Sequence, residues 1–429
     1  MKLSVACNFD DALIPALAPY PVYEVYGKLT SDVLGGGRPS FYLPEIGRSE
    51  LERYVRLVHE RGIEFNYLLN SSATGNLEFT RQGQRDIDEL LEWVAAIGVD
   101  SVTVAHIYFL RLVKKRYPKL KVRVSSHRFT DNPRKVRFWA ENGADYVVVS
   151  EVNIHRELKI LRGMQRAAVD SGVELQLIVN NWCRQDCAIA GNHAVGLSEA
   201  SRVGSKGFPL DYCSLVCNQI RVTEPVNYIR ANWIRPDDLP IYEEIGFRNF
   251  KIVERNTPTP VLQNRVKAYA ERRYDGNLLD LVQNYAYPEA AFGGKAQEAY
   301  SLKRMLRYFA KPGAINLFRL GKVIDFGKTL SVLYPLRGEN PVQIDNRALD
   351  GFMERFDKHS CQDLDCESCR YCHRFAEKAV RIDPAWRERI REIFVDLLDD
   401  VDGGAFFEAH SETIRQGLGR AVRSLRVLD

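Results

Sequence analysis

The chain has 429 residues, 45% of them hydrophobic and 27% charged, with a net charge of +4. That balance fits two or three globular domains with full cores, excludes a disordered chain, and leaves too little excess charge to demand a nucleic-acid partner. No apolar run reaches the roughly 20 residues that cross a bilayer, and the opening MKLSVACNFDDAL lacks the basic and apolar regions of a secretory signal, so a cytoplasmic protein without membrane contact is expected.

From the N-terminus to residue 256 the chain alternates β-branched runs with amphipathic helical stretches. A short apolar stretch ending at Cys7 reads as a first strand. Ser49 and Glu52 have the spacing of a capping box, and Leu51, Val55 and Val58 line one face of the helix that follows. Next come strand EFNYLL, a helix with Ile87, Leu90, Leu91 and Val94 on one face, and strand SVTVAH. The basic run from Lys114 to Arg123 reads as a solvated helix end leading into strand VRVSSH. A helix from Pro133, strand YVVVSE, another helix and strand LQLIVNN follow, then IRANWI as a strand, a helix from Pro236 and strand FKIVE. This alternation demands a parallel sheet. The repeat lengths and the lack of a GxGxxG fingerprint favour a TIM-like (β/α)8 barrel, since the one glycine cluster, Gly35 to Gly37, falls in a loop. NTPTP at 256–260 reads as a linker, which predicts a barrel domain over 1–256 and an appended, mainly helical domain over 257–429. Helices are expected in AQEAYSLKRMLRYF, RFAEKAVRI, AWRERIREIFVDLLDD and the tail from Ala405.

Eight of the nine cysteines fall into two groups, Cys183, Cys187, Cys213 and Cys217, and Cys361, Cys366, Cys369 and Cys372. In a reducing compartment disulfides do not persist, so metal ligation is the favoured reading. The C-terminal group, Cys-x4-Cys-x2-Cys-x2-Cys, places all four sulfurs on one short segment. Zinc ribbons split their pairs between knuckles roughly 15 residues apart, so this run favours a 4Fe–4S cluster over zinc. The mid-chain group is two Cys-x3-Cys pairs joined by a long excursion, and its spacing admits zinc and iron–sulfur equally. Cys7 reads as a small buried hydrophobe.

A parallel barrel gathers its functional residues at the C-terminal ends of the strands. Those ends carry Asn70 and Ser71, His106, Ser126 and His127, Glu151, Asn180, Asn181 and Cys183, then Lys251, Glu254 and Arg255. Glu151 and His127 are the candidates for proton transfer. Asn70, Ser126, Asn181 and Glu254 are candidates for binding substrate. His106 fits a structural hydrogen-bonding role as well as a catalytic one.

The series from SVTVAHIYFL to NIHRELKIL, the DYCSLVC pair and IRPDDLPIYEEIGFRNFKIVER resemble the U32 family, often called collagenase-like peptidases, over about residues 1 to 256. The resemblance implies a TIM-like barrel, a 4Fe–4S cluster on the mid-chain cysteines, and support of oxygen-independent hydroxylation of ubiquinone precursors or RNA bases. Cys183, Cys213 and Cys217 match the family's cysteines by position, and Cys187 pairs less directly. Asn180, Asn181 and Trp182 stand where the family reads Gly-Ala or Gly-Ser. The family's Lys-Ile-Glu-Gly-Arg becomes Lys251 to Arg255 with Glu254 moved by one residue, which on a strand would turn it to the other face. The C-terminal cysteine run lies outside the family's barrel signature and suggests a second redox centre.

Three functions are in play. The first is an iron–sulfur redox enzyme with two 4Fe–4S clusters, acting on a small molecule or an RNA base and served by an electron-donor protein or a homologous partner subunit. The second is a non-catalytic iron–sulfur scaffold. The third is the peptidase of the family name, which neither an HExxH nor a GxSxG motif supports.

Overall fold

A computed structural model describes residues 1–205, 208–295 and 300–413 of the chain. Eight parallel strands, β1 (Lys2–Ala6), β2 (Val22–Gly27), β3 (Glu64–Leu69), β4 (Ser101–Val104), β5 (Lys121–Val124), β6 (Tyr146–Val148), β7 (Glu174–Ile178) and β8 (Asn249–Ile252), close in sequence order, and β8 pairs back onto β1. Helices ring this barrel and a mainly helical C-terminal region follows it. The fold is the expected TIM-like (β/α)8 barrel.

The expected set of strands is corrected at two places, one strand that was not expected and one that does not form. VYEVYG forms β2, although Glu24 breaks its apolar run, because Glu24 points into the barrel and meets Arg123 of β5 at 2.6 Å with both side chains fully buried. IRANWI is not a barrel strand. Its backbone runs across the mouth beyond β7, where Asn232 N donates to Cys183 O at 2.8 Å, Ile234 N to Val179 O at 2.8 Å, and Ala231 bridges Arg184 antiparallel. Burial of every residue but Arg230 makes this strap look like a central strand, but its partner is a loop.

The barrel interior is polar where branched apolar side chains usually fill such barrels. Ser4 donates to Glu24 at 2.5 Å, Asn66 to Ser101 at 2.5 Å, Thr103 to Asn66 at 2.7 Å and Gln176 to Asn249 at 2.7 Å, and Ser101 reaches Glu24 across the barrel at 3.3 Å. Each of these side chains bonds to a residue on another strand, which offsets the cost of burying it, although Gln176 Oε1 has no partner. Outward residues such as Val5, Val25, Phe65 and Phe250 pack under the helices.

Helix Arg48–His59 buries Leu51, Val55 and Val58 as expected, but its cap is Gly47, whose N–H donates to Glu50 at 3.1 Å; Ser49 and Glu52 are already inside the helix. Asn132 caps the helix from Pro133 and Thr80 caps helix Arg81–Ala96. Pro236 begins a short 3-10 turn that leads into helix Leu239–Ile245.

Helix Thr259–Glu271 begins inside NTPTP and packs on β1 and on helix Leu13–Leu17, with Leu262, Val266 and Tyr269 in the barrel's own core. The proposed division at 256/257 therefore falls between β8 and a helix of the barrel's ring. Strands Val342–Ile344 and Val380–Ile382 pair antiparallel, and Leu349, Phe352 and Phe356 join the barrel core. A second core gathers helices Leu302–Phe309, Leu320–Thr329 and Pro384–Asp402 around Leu215 and Val222 of helix Tyr212–Thr223. Of the expected C-terminal helices, residues 296–299 of the first and the tail beyond 413 lie outside the described residues. Among the described residues no helix is long and apolar enough to cross a membrane.

Candidate functional site

A cavity of about 290 Å³ opens at the C-terminal mouth of the barrel. It brings together Asn70, Ser126, His127, Glu151, Asn181, Glu254 and all four mid-chain cysteines, with Asn180, Lys251 and Arg255 also on its wall. Ser71 and His106 stand outside it. Ser71 Oγ turns to Ala73 O at 2.6 Å, and His106 caps helix Ile107–Arg116 by accepting from Tyr108 N at 3.2 Å. The four C-terminal cysteines form a separate group, described below.

Glu254 lies beyond the end of β8, so the alternation of a strand no longer governs its direction. Its carboxylate reaches the mouth and accepts from Arg38 Nε at 2.7 and 2.9 Å, and from Arg38 Nη2. Burial alone would raise the Glu254 pKa; the Arg38 guanidinium outweighs it and holds the carboxyl below its ordinary range. Sequence reading missed Arg38 because it missed β2, whose loop carries it. The available signal was the run Gly35-Gly36-Gly37-Arg38. Gly37 passes so close to the site that a Cβ there would stand 2.8 Å from His127 Cε1 and 2.9 Å from Asn70 Nδ2, and Gly35 holds φ at +78°. Lys28 secures this loop, donating to Gly35 O at 2.6 Å and pairing with Asp32 at 2.8 Å.

Burial pushes the Glu151 pKa up, and a hydrogen bond from Ser126 and the charges of Arg38 and Lys251 only partly offset it. Asn181 fixes the Glu151 backbone by donating to its carbonyl. Burial, with Arg38 and His193 nearby, pulls His127 down to about 3, so its ring is neutral at physiological pH. Its Nδ1 shares a hydrogen bond with Ser72 Oγ at 3.3 Å. His193 and Asp211, both on the cavity wall, pair at 2.8 Å and were not singled out from sequence. They flank the cysteines because Asp211 caps helix Tyr212–Thr223, which carries Cys213 and Cys217.

Among the described residues no group of three or more Cys, His, Asp or Glu side chains is set as a finished metal site. The thiols of each set are nonetheless close enough to oppose one another's ionisation. Burial first, then Glu151, Cys217 and Cys187, raise Cys183 well above its ordinary value; burial, Asp211, Cys187 and Cys217 raise Cys213. In the second set burial pushes Cys361 up to about 12, with Cys372, Glu157 and Cys366 adding to it. Cys361 N donates to Glu157 at 2.8 Å. Cys7 is fully buried away from both sets.

Each set has one buried arginine stacked on a tryptophan. Arg221 is 1% exposed, lies 4.1 Å from the Trp182 ring centre, donates to Trp182 O at 2.7 Å and stands 3.6 Å from Cys217 Sγ. Arg156 is 2% exposed, lies 5.0 Å from the Trp233 ring centre, donates to Ile229 O at 2.7 Å and Ala231 O at 2.5 Å, and lowers the pKa of both Cys361 and Cys372 by its charge. Both leave Nε without a partner, and among the described residues neither pairs with a carboxylate. The strap 229–234 lies between the sets, bonded to Cys183 O on one side and through Arg230 to Glu367 at 3.3 Å on the other.

Residues 42–183 match the model of Peptidase family U32. An uncharacterized protease of Methanocaldococcus jannaschii is 26% identical over 360 residues, covering 84% of this chain and 89% of that protein. The solved structure of a U32 peptidase superposes with a TM-score of 0.43 at 18% identity, covering 59% of this chain and 92% of that one. A thiamine phosphate pyrophosphorylase from Pyrococcus furiosus gives a TM-score of 0.34 at 8% identity, covering 63% of this chain and 94% of that one.

Proposed function

For a chain whose barrel is of the U32 family, we propose an iron–sulfur redox enzyme with two 4Fe–4S clusters, one on Cys183, Cys187, Cys213 and Cys217 and one on Cys361, Cys366, Cys369 and Cys372. Its reaction is an oxygen-independent hydroxylation, or a related oxidation, of a small molecule or an RNA base. The observation that carries this reading is the pair of arginines. A buried guanidinium with no carboxylate partner is costly, and Arg221 and Arg156 are both buried in this way, Arg221 at 3.6 Å from Cys217 Sγ and Arg156 acting by its charge on Cys361 and Cys372. Thiols that stay protonated give the arginines no counter-charge. Thiolates bound in a cluster do, and each arginine in turn favours the ionised sulfur.

When bound, such clusters supply and accept single electrons. The chain's own residues supply the rest. Glu151, held above the ordinary carboxylate range by burial, keeps its proton to higher pH than an exposed acid and can hand it on within the cavity. His127, neutral above about pH 3, serves as a hydrogen-bonding imidazole. The Arg38–Glu254 clamp fixes the rim, Asn70 presents an amide oxygen without a protein partner to a bound molecule, and Asn181 holds the backbone of Glu151 and Cys183 beside it. The strap is bonded both to Cys183 and to Glu367 of the C-terminal cysteine segment, which suits the C-terminal set to passing electrons inward from a donor protein. The His193–Asp211 pair beside cysteines favours a second reading, a cysteine peptidase. Against it, a nucleophilic cysteine needs a lowered pKa, whereas Cys183, Cys187 and Cys213 are all raised.

The arginines make the reading testable. Arg221→Gln should lower the reduction potential of one centre and Arg156→Gln that of the other, because removing a nearby cation disfavours the more negative reduced state. Potentials unchanged in both variants would remove the observation on which the reading rests.

A further inference from the structure

Among the described residues two lysines are buried, both of the barrel, and they differ in their partners. Lys28 is tied down by Asp32 at 2.8 Å and by Gly35 O at 2.6 Å, as a structural lysine should be. Lys251, on β8, is 6% exposed and has no ion-pair or hydrogen-bond partner among the described residues. Its Nζ stands 3.8 Å from the centre of the Tyr26 ring, and the residue lines the mouth cavity of about 290 Å³. Beneath it the carboxylate that could have paired with it, Glu24, is already taken by Arg123 at 2.6 Å, with Ser4 on the same oxygen at 2.5 Å.

We propose that Lys251 is a nucleophilic amine that forms an imine with the aldehyde or ketone group of a small molecule bound in the barrel mouth. The geometry meets what that chemistry needs: an amine on a rigid strand, walled by an aromatic face, on the lining of a cavity of small-molecule size and not ion-paired with any carboxylate among the described residues. Burial and the charges of Arg123 and Arg255 disfavour its protonation, and Glu24 and Glu151 favour it less strongly, leaving the amine at about 7. The unprotonated Nζ attacks the carbonyl carbon and a C–N bond forms. The carbonyl oxygen then leaves as water, taking the two amine hydrogens, and the C=N bond remains. No oxidant or reductant enters, so the step needs neither cysteine centre and stands apart from the redox reading above. A purely structural lysine, stacked on Tyr26 to fill the barrel, is the competing account.

The test uses the full chain as purified, incubated near neutral pH with glycolaldehyde and sodium cyanoborohydride, with adducts located by peptide mass spectrometry. Surface lysines are almost wholly protonated there, so the hydroxyethyl adduct should appear on Lys251 at least about tenfold more than on any exposed lysine. Its yield should reach half its maximum near the pH of about 7 set by this environment. Lys251→Arg should lose that adduct and leave the surface pattern unchanged. Adducts spread over exposed lysines with Lys251 unlabelled, or labelling of Lys251 that rises only above about pH 9 as for an ordinary lysine, would overturn the proposal.

Discussion

His155 shows how a single buried side chain sets pH behaviour. Its Nδ1–H donates to Asn232 O at 2.6 Å on the strap, its Nε2 has no partner, and burial pulls its pKa from 6.5 to about 4. Between those values the unfolded chain takes up a proton that the folded chain refuses. The stability due to neutral His155 is therefore complete above about pH 6.5 and falls as the pH drops toward 4, by about 3 kcal/mol in all. His155→Asn keeps a donor toward Asn232 O and removes the titration. Urea midpoints measured at successive pH values should fall less steeply with acid in the variant, and identical slopes would show that His155 is not responsible. Legibility at this scale followed position. Glu151, His127 and Asn70 could be placed in the mouth because each ends an apolar run, whereas Arg38 and His193 come from a loop and a helix whose path over the mouth depends on contacts distant in sequence.

At the scale of elements, the strands carried by alternation or apolar runs were legible, and the two misread segments share one cause. β2 hides a buried ion pair inside a strand, and the strap 229–234 shows strand-like burial while pairing with a loop. Pattern reports which side chains are buried and is silent on the partner that buries them. The same reasoning gives a prediction for the C-terminal cysteines. In residues 361–370 only Cys361 and Cys369 are partly covered and the rest are exposed, so apolar packing does little to organise this segment. Ligation would supply that order, since metal binding at closed thiolate sites is folding free energy. Chelation under reducing conditions should open trypsin cleavage at Lys358, Arg370 and Arg374 and leave the barrel intact, because Phe352, Phe356 and Ala379 on either side remain anchored in the barrel core. Equal resistance with and without metal would show that the cysteines do not hold the segment.

At the scale of the whole molecule, two cores and two cysteine sets meet around one strap. Helix Tyr212–Thr223 carries Cys213 and Cys217 toward the mouth while Leu215 and Val222 anchor it in the second core, so the C-terminal helices brace the mid-chain set. Sequence spacing separated the two sets but could not show that IRANWI joins them, because that depends on the Arg156 and Arg230 contacts. The central claim is that both sets hold iron–sulfur clusters, and it is tested most directly by counting iron, sulfide and zinc per chain in anaerobically purified protein. Two 4Fe–4S clusters predict about eight iron and eight sulfide, with the iron halved when Cys213 and Cys217 are both changed to alanine. Two tightly held zinc ions with no acid-labile sulfide and no broad visible absorbance would contradict it.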